Sequence, residues 1–188
     1  MTEAFDPEDF GENDEITRYK AEFLNTFVKE QKINTVLELG CGDGSQLDLI
    51  NYPQYIGVDL SPEALSICRM NFEEDLTKCF IEYNLLWDNP TQDLALSLDA
   101  ISHFAEDGAF HNYMYDLFKT SHAYIIIYAA NHNENTASGL KHRCFTDWIN
   151  IYAKQWHRVA EKSAFPRHLE DKTHSRFHIF KKETCTDA

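Results

Sequence analysis

The sequence contains few basic residues and no long apolar run. Its 188 residues include 17 Lys and Arg against 31 Asp and Glu, which gives a formal charge of -14 at pH 7. An excess of negative charge repels phosphate backbones and anionic bilayers, so nucleic acid is disfavoured as a partner and a membrane is not expected to be one. No stretch approaches the roughly 18 apolar residues of a membrane span, and the chain is therefore predicted to be soluble and cytoplasmic.

Cysteine pairs and metal-binding spacings are also missing. The five cysteines include no C-x-x-C pair, and their odd number does not suit a disulfide framework, which favours a reducing compartment. Nine histidines are present, but none falls at ligand spacing with a cysteine or an acid on an assigned element. We therefore expect no metal site.

The remaining composition is that of an ordinary globular domain. Hydrophobic residues make up 43% of the chain and charged residues 26%, at a length typical of one compact unit. We expect a flexible acidic arm over residues 1–13, a single domain over residues 14–182 and a C-terminal tail over residues 183–188.

Short apolar runs alternate with helical patterns along this predicted domain. Strands are predicted at residues 34–39, 55–59, 79–83, 94–98 and 122–130, and helices at about 14–32, 61–74, 107–120 and 145–153. Such alternation predicts an α/β fold with a doubly wound, mainly parallel sheet. Two final runs, at residues 156–165 and 175–182, indicate an antiparallel pair at the end of the sheet. Residues 131–144 are predicted to form a long polar loop.

The most specific motif covers the end of the first predicted strand and the turn after it, and it reads VLELGCGDG at residues 36–44. Its three glycines, Gly40, Gly42 and Gly44, allow a sharp turn and the close approach of a ligand. The spacing differs from the dinucleotide fingerprint G-x-G-x-x-G, because position 45 is Ser45, and the G-K-[ST] of a P-loop is missing. A nucleotide-like cofactor is the natural ligand for this turn.

Together with GVDLS at residues 57–61, this motif resembles the first two motifs of the class I S-adenosylmethionine-dependent methyltransferases, and the resemblance extends over roughly residues 30–182. It implies a Rossmann-like, seven-stranded sheet with an antiparallel last strand, and S-adenosylmethionine as cofactor with S-adenosylhomocysteine as product. In that family an acid after the second strand binds both ribose hydroxyls, which implies Asp59 here. Asn84 stands where an adenine-binding acid is usual, and its amide oxygen can still accept a hydrogen bond. The cofactor-binding residues implied are Glu38, Gly40, Cys41, Gly42, Gly44, Asp59, Leu60, Asn84, Leu85 and Ser97.

The turn after the fourth predicted strand supplies the catalytic candidates. Asp99 and His103 follow that strand, where topology places residues beside the cofactor crevice. A histidine suits proton removal from an oxygen acceptor, so His103 is the candidate general base. Packing or cofactor positioning is the alternative role for His103, and a hydrogen bond to the cofactor or a turn cap is the alternative for Asp99.

Charge is distributed unevenly along the chain. Residues 132–182 carry ten Lys and Arg against five acids, a local charge of +5, which leaves -19 for the rest. A basic rim favours an anionic acceptor, and Lys141, His142 and Arg143 are its candidate ligands because guanidinium forms bidentate contacts. Solvation of the surface by these cations is the simpler alternative.

The predicted function is transfer of a methyl group from S-adenosylmethionine to a small-molecule acceptor, at oxygen or nitrogen. A phosphorylated or sugar-linked metabolite is the leading class of acceptor. Three alternatives remain open: a non-catalytic protein that binds S-adenosylmethionine, a nucleotide-dependent oxidoreductase, and a methyltransferase that acts on a macromolecule docked on the basic C-terminal half.

Overall fold

A computed structural model describes residues 12–86, 91–137, 139–163, 165 and 174–183. The predicted acidic arm, apart from residues 12 and 13, and the predicted tail, apart from residue 183, lie outside the described residues. The first helix begins at Glu12, within the predicted arm. The division of the chain into arm, domain and tail stays a prediction.

Four helices and nine strands follow one another along the described chain. The helices are α1 (Glu12–Glu30), α2 (Pro62–Asn71), α3 (Asp107–Lys119) and α4 (Phe145–Tyr152). The strands are β1 (Thr35–Leu39), β2 (Gln54–Asp59), β3 (Lys78–Glu82), β4 (Gln92–Leu98), β5 (Ser121–Ala129), β6 (Glu134–Asn135), β7 (Lys141–His142), β8 (Trp156–Ser163) and β9 (Arg176–Lys182).

Seven of these strands form one sheet in the order β3-β2-β1-β4-β5-β9-β8. Strands β1 to β5 pair in parallel, whereas β9 runs antiparallel to both β5 and β8. This order confirms the predicted doubly wound fold with an antiparallel last strand. The winding direction reverses between β1 and β4, and the crevice at such a reversal is where open α/β sheets bind ligands.

Helices cover both faces of the sheet because alternate strand residues point to opposite sides. Val36, Leu94 and Leu96 belong to the core cluster that includes residues of α1 and α2. Leu37 and Ala95 belong to the second cluster, which includes residues of α3 and α4. With both faces covered, the carboxyl edge of the sheet remains as the place for a cleft.

The predicted polar loop at 131–144 contains a second, two-stranded sheet formed by β6 and β7. The turn between them is closed by a hydrogen bond from the N–H of Thr136 to the carbonyl of Leu140 at 2.9 Å. Strands of two polar residues carry no apolar alternation, which is why the sequence pattern did not predict them. Within the described ranges, no helix combines the length and apolar character needed to cross a bilayer.

Candidate active site

The glycine turn lies at the end of β1 and is tied to β2 by backbone hydrogen bonds. The N–H groups of Gly40 and Cys41 both donate to the carbonyl of Val58, at 2.7 and 3.1 Å. Gly40 has a φ of +81°, and a Cβ built on it would meet the Cβ of Ala100 at 2.6 Å. Only glycine allows the ends of β1 and β4 to approach this closely.

Asp59 is the last residue of β2 and faces this turn. Its Oδ2 accepts a hydrogen bond from the N–H of Gly42 at 2.9 Å, and its Oδ1 accepts one from the N–H of Ser61 at 2.9 Å. A carboxylate oxygen has two acceptor positions, so both oxygens retain the capacity to accept from a pair of vicinal hydroxyls. The backbone thus holds Asp59 in an orientation suited to a ribose.

A cavity of about 530 Å³ opens between the glycine turn and the turn after β4. It is lined by Gly40, Gly42, Asp59, Leu60, Tyr83, Leu98, Asp99, Ala100, His103, Phe104 and Tyr113. A smaller hollow of about 160 Å³ shares the glycine turn, and its lining includes Glu38, Cys41 and Gly44. The two hollows together bring nine of the residues predicted from the sequence into one cleft.

The volume of the cavity is sufficient for a nucleoside cofactor. This volume falls within the roughly 300–1,000 Å³ usual for small-molecule sites. A Cβ built on Gly42 would have no neighbour within 4 Å, so this glycine faces open space in the cleft. A side chain at this position would fill part of that space, which explains glycine at the centre of the turn.

Glu38 is buried beneath the turn, with 7% of its surface exposed. Its Oε2 accepts a hydrogen bond from the hydroxyl of Tyr55 at 2.6 Å. Burial raises the pKa of Glu38 from 4.5 to about 7, and the negative charges of Asp99 and Asp59 raise it further against the lowering effect of the Tyr55 bond. Glu38 therefore exchanges its proton near neutral pH at the floor of the cleft.

Two thiols border the carbonyl of Gly42. Cys41 and Cys68 lie with Sγ at 3.7 and 3.3 Å from that oxygen. Burial raises the pKa of both thiols above the usual value. A thiol held protonated is a poor nucleophile, so these cysteines pack the turn and do not supply covalent chemistry.

Asp99 follows β4 in a left-handed backbone conformation, with φ at +59°. Its Oδ2 accepts a hydrogen bond from Nζ of Lys20 at 3.0 Å, and its N–H donates to the carbonyl of Tyr128 at 3.0 Å. Because Asp99 is paired with a lysine, binding of a ligand is a more suitable role for its carboxylate than removal of a proton. The catalytic role of Asp99 stays a prediction.

His103 ends a short 3-10 turn, Ile101–His103, and its side chain is exposed and lines the cavity. Its N–H donates to the carbonyl of Ala100 at 3.1 Å, which fixes the backbone of the turn. This placement gives an imidazole access both to solvent and to the cavity that Asp59 lines. A general base must first lie within hydrogen-bond reach of the proton that it removes, and a place in the cavity lining allows this.

Three predicted cofactor residues line neither of the two hollows that form the cleft. Asn84 and Leu85 lie in the short turn Tyr83–Leu85 after β3 with exposed side chains, and Tyr83 is the residue of this turn that lines the cavity. Ser97 is completely buried, with its hydroxyl 2.8 Å from that of Tyr113. Ser97 therefore lies behind Tyr113, which lines the cavity.

Arg143 lies outside the cavity lining and holds the chain segment after His103. Its Nε and Nη2 donate to Oδ1 of Asp107 at 3.1 and 2.8 Å. Its Nη1 donates to the carbonyl of Phe104 at 2.7 Å and its Nη2 to that of Ala105 at 2.9 Å. Because these bonds engage all three guanidinium nitrogens, the structure gives Arg143 a clamping role instead of placing it against an acceptor.

Lys141 and His142 form β7, beside this clamp. Nζ of Lys141 donates to Oδ1 of Asp107 at 2.7 Å, and Lys141 and Arg143 together hold the pKa of Asp107 below its usual range. His142 stacks near His132, with ring centroids 5.6 Å apart, and its Nδ1 is buried without a hydrogen-bond partner among the described residues. Acceptor binding by these residues stays a prediction.

Three polar residues at or beside the cavity were not predicted from the sequence: Lys20, Tyr83 and Tyr113. Tyr113 donates from its hydroxyl to the carbonyl of Leu39 at 2.7 Å and so supports the start of the glycine turn. Its helical spacing indicates only a buried face, and no local signal identifies its polar contact. In the part of the chain that is described, no three His, Cys, Asp or Glu side chains group closely enough to hold a metal ion.

Comparison with known proteins finds similarity to methyltransferases. The family described as "Methyltransferase domain" matches residues 36–121. A curated protein of Arabidopsis thaliana, "Small RNA 2'-O-methyltransferase", is 29% identical over 110 residues, which is 50% of this chain and 12% of that protein. The chain therefore spans about an eighth of the length of this curated relative.

Two solved structures share the fold. The methyltransferase domain of bacterial CtHen1-C has a TM-score of 0.67 at 17% identity and covers 90% of this chain and 100% of that one. Magnesium protoporphyrin IX methyltransferase from Synechocystis PCC 6803, with bound S-adenosylhomocysteine, has a TM-score of 0.69 at 14% identity, with 95% and 90% covered.

The relative named for small RNA corrects one expectation. Net charge had disfavoured nucleic acid and favoured a small-molecule acceptor, and that prediction of partners is wrong. A charge of -14 averages the whole surface, whereas association depends on the cations beside the site. Arg176 pairs with Ala129 at the carboxyl edge of the sheet, while Lys181 pairs with Tyr124 nearer the opposite edge. The basic C-terminal half is thus divided between two edges.

Proposed function

We propose that the chain is a class I S-adenosylmethionine-dependent methyltransferase and that it transfers a methyl group from S-adenosylmethionine to a ribose hydroxyl of RNA. The observation that carries the proposal is a single cavity lined by both Asp59 and His103. The first residue suits the cofactor's ribose and the second suits an acceptor that must lose a proton. The choice of RNA is supported by the 29% identity with a small RNA 2'-O-methyltransferase.

The residues of this chain would have two roles in the cavity, which are cofactor binding and removal of the acceptor's proton. Asp59 and the turn at Gly42 hold the nucleoside, and the cofactor supplies an electrophilic methyl group when bound. His103 would accept the proton that the ribose hydroxyl of the acceptor loses when it receives the methyl group. Alignment of the two reacting groups in one cavity supplies the main acceleration.

Cations at the carboxyl edge of the sheet support a nucleic-acid acceptor. Ser163 at the end of β8 pairs with Arg176 at the start of β9, next to the end of β5. Lys162 precedes this pair, and His174 lies two residues before Arg176. Contacts of these side chains with phosphates would make binding depend on salt, because each neutralised phosphate releases counterions.

The test is methyl transfer to a short single-stranded RNA, followed by digestion to nucleosides and mass spectrometry. We expect a 2'-O-methyl nucleoside with RNA and none with the same sequence as DNA, which lacks the acceptor hydroxyl. Binding of the RNA should weaken as salt rises. Methylation of the DNA oligonucleotide, or of RNA bases instead of ribose, would contradict the proposal.

A matched pair of variants separates the base from other histidines. His103→Ala should lower the rate by about 100-fold or more, the usual contribution of a positioned general base. His157→Ala is the control, because His157 is exposed on β8 and pairs with Glu183 near the opposite edge of the sheet. Equal rates for both variants would remove His103 from the mechanism.

A further inference from the structure

We infer that Lys20, on a helix outside the matched domain, is a positioning residue that holds Asp99 in the cofactor cavity. The matched family region begins at residue 36, whereas α1 ends at Glu30. Nothing in the glycine motif points to this helix. The inference rests on the proposed function, since it concerns the same cleft.

The contact between the helix and the cavity is direct. Nζ of Lys20 lies 3.0 Å from Oδ2 of Asp99, and the two residues are 79 positions apart in the chain. The lysine side chain is 12% exposed and its partner 50% exposed. One side chain is thus enclosed by the protein while the other presents its carboxylate to the cavity.

The lysine is itself fixed by the sheet. Its Nζ lies 3.8 Å from the centroid of the Tyr128 ring, at the distance of a cation–π contact. The carbonyl of the same tyrosine accepts the N–H of Asp99 at 3.0 Å. Tyr128 therefore holds both members of the pair, one through its ring and the other through its backbone.

Asp99 needs such support for two reasons. Its φ of +59° lies in the left-handed region, which a non-glycine residue occupies only when its surroundings hold it there. It also shares the cleft with Glu38 and Asp59, and the charges of both Asp residues raise the pKa of Glu38. A third carboxylate without a counter-charge would be repelled from its place.

Lys20 thus does two things at once. Its ammonium offsets part of the negative charge at the floor of the cleft, and it fixes one oxygen of Asp99, a residue that lines the cavity. A rigid hydrogen-bond acceptor placed in advance costs less ordering when the ligand binds. Loss of Lys20 should therefore weaken cofactor binding through Asp99 more than it weakens the fold.

The experiment measures S-adenosylhomocysteine binding by calorimetry, together with thermal unfolding. Lys20→Met should weaken binding about tenfold, within the range of couplings between contacting residues. Lys20→Arg should restore most of the affinity because it keeps the charge. The control is Lys181→Met, which removes a lysine that lies 5.4 Å from the ring of Tyr124 and away from the cavity; its binding should match wild type.

A double-mutant cycle decides whether Lys20 acts through Asp99. In an Asp99→Asn background, Lys20→Met should cause no further loss of affinity, with the unfolding midpoint close to that of the single variant. Additive losses would overturn the inference while the proposed function stands. If the wild-type chain bound no S-adenosylhomocysteine, both the proposed function and the inference would be contradicted. If the chain bound S-adenosylhomocysteine but did not methylate RNA, only the proposed function would be contradicted.

Discussion

The two ends of the cleft are built in different ways. At the glycine turn, the N–H groups of Gly40 and Cys41 bind the carbonyl of Val58, and the N–H of Gly42 binds the carboxylate of Asp59. At the end formed after β4, Lys20 holds Asp99 from 79 residues away, and Arg143 holds Asp107 from 36 residues away. The first end depends on backbone conformation and the second on long side chains.

This difference predicts how each end responds to substitution. A backbone turn that requires glycine is destabilised by any residue with a Cβ, whatever side chain that residue carries. A side-chain clamp fails gradually, since each hydrogen bond contributes separately. Matched variants at the two ends should therefore differ in the size of their effects.

The largest expected effect is at Gly40. Gly40→Ala should lower the free energy of unfolding by about 2–5 kcal/mol, because backbone strain adds to overpacking. Gly42→Ala is the control for strain alone, since an added Cβ there has no neighbour within 4 Å; its loss should be about 1–2 kcal/mol. Urea unfolding measures both, and equal losses would contradict the close approach of β1 and β4.

Glu38 should make stability depend on pH. Its pKa is about 7 in the folded chain and 4.5 as the ordinary value. Between these values the folded chain keeps a proton that the unfolded chain has lost, so unfolding becomes easier as pH rises and the effect ends above pH 7. The difference corresponds to about 3 kcal/mol.

Glu38→Gln is the control for this effect, because the amide accepts the hydrogen bond from Tyr55 without titrating. The free energy of unfolding of wild type, relative to this variant, should fall from pH 5 to pH 7.5. Parallel pH profiles for the two proteins would show that Glu38 is ionised throughout.

The smallest effect is expected at the clamp of Arg143. Arg143→Lys keeps the charge but loses the fork, so the bonds to the carbonyls of Phe104 and Ala105 are not all replaced, at a cost of about 1–2 kcal/mol. Methyl transfer should slow because the clamp holds the turn of His103, while the KM for the acceptor stays near the wild-type value. Arg158→Lys on β8 is the control, and a rise in acceptor KM alone would restore the role of Arg143 as an acceptor ligand.

Sequence alone predicted the parts that local pattern determines. The boundaries of β1, β2 and α2 were predicted to within a few residues, since strand alternation, the Ser61 cap and Pro62 are local signals. The glycines and Asp59 were placed correctly beside one another for the same reason. Both sets lie between Thr35 and Asn71.

Contacts between distant side chains were beyond sequence reasoning. Nothing near Lys20 indicates its partner, and nothing in the sequence at 141–143 shows that Lys141 and Arg143 both bind Asp107. Ser97 illustrates a third limit, because strand membership does not tell whether a polar side chain is enclosed behind the cavity wall. In each case the sequence indicates the element that carries the residue but not the contact that its side chain makes.

The most direct test of the cofactor site is calorimetric titration of S-adenosylhomocysteine into wild type, Asp59→Ala and Asp48→Ala. Asp48 is an exposed control near the same turn. We predict binding to wild type and to Asp48→Ala, and a loss of about 100-fold in Asp59→Ala, the cost of two hydrogen bonds to a charged acceptor. Equal affinity in all three proteins, or no binding to wild type, would contradict the assignment of this cleft to the cofactor.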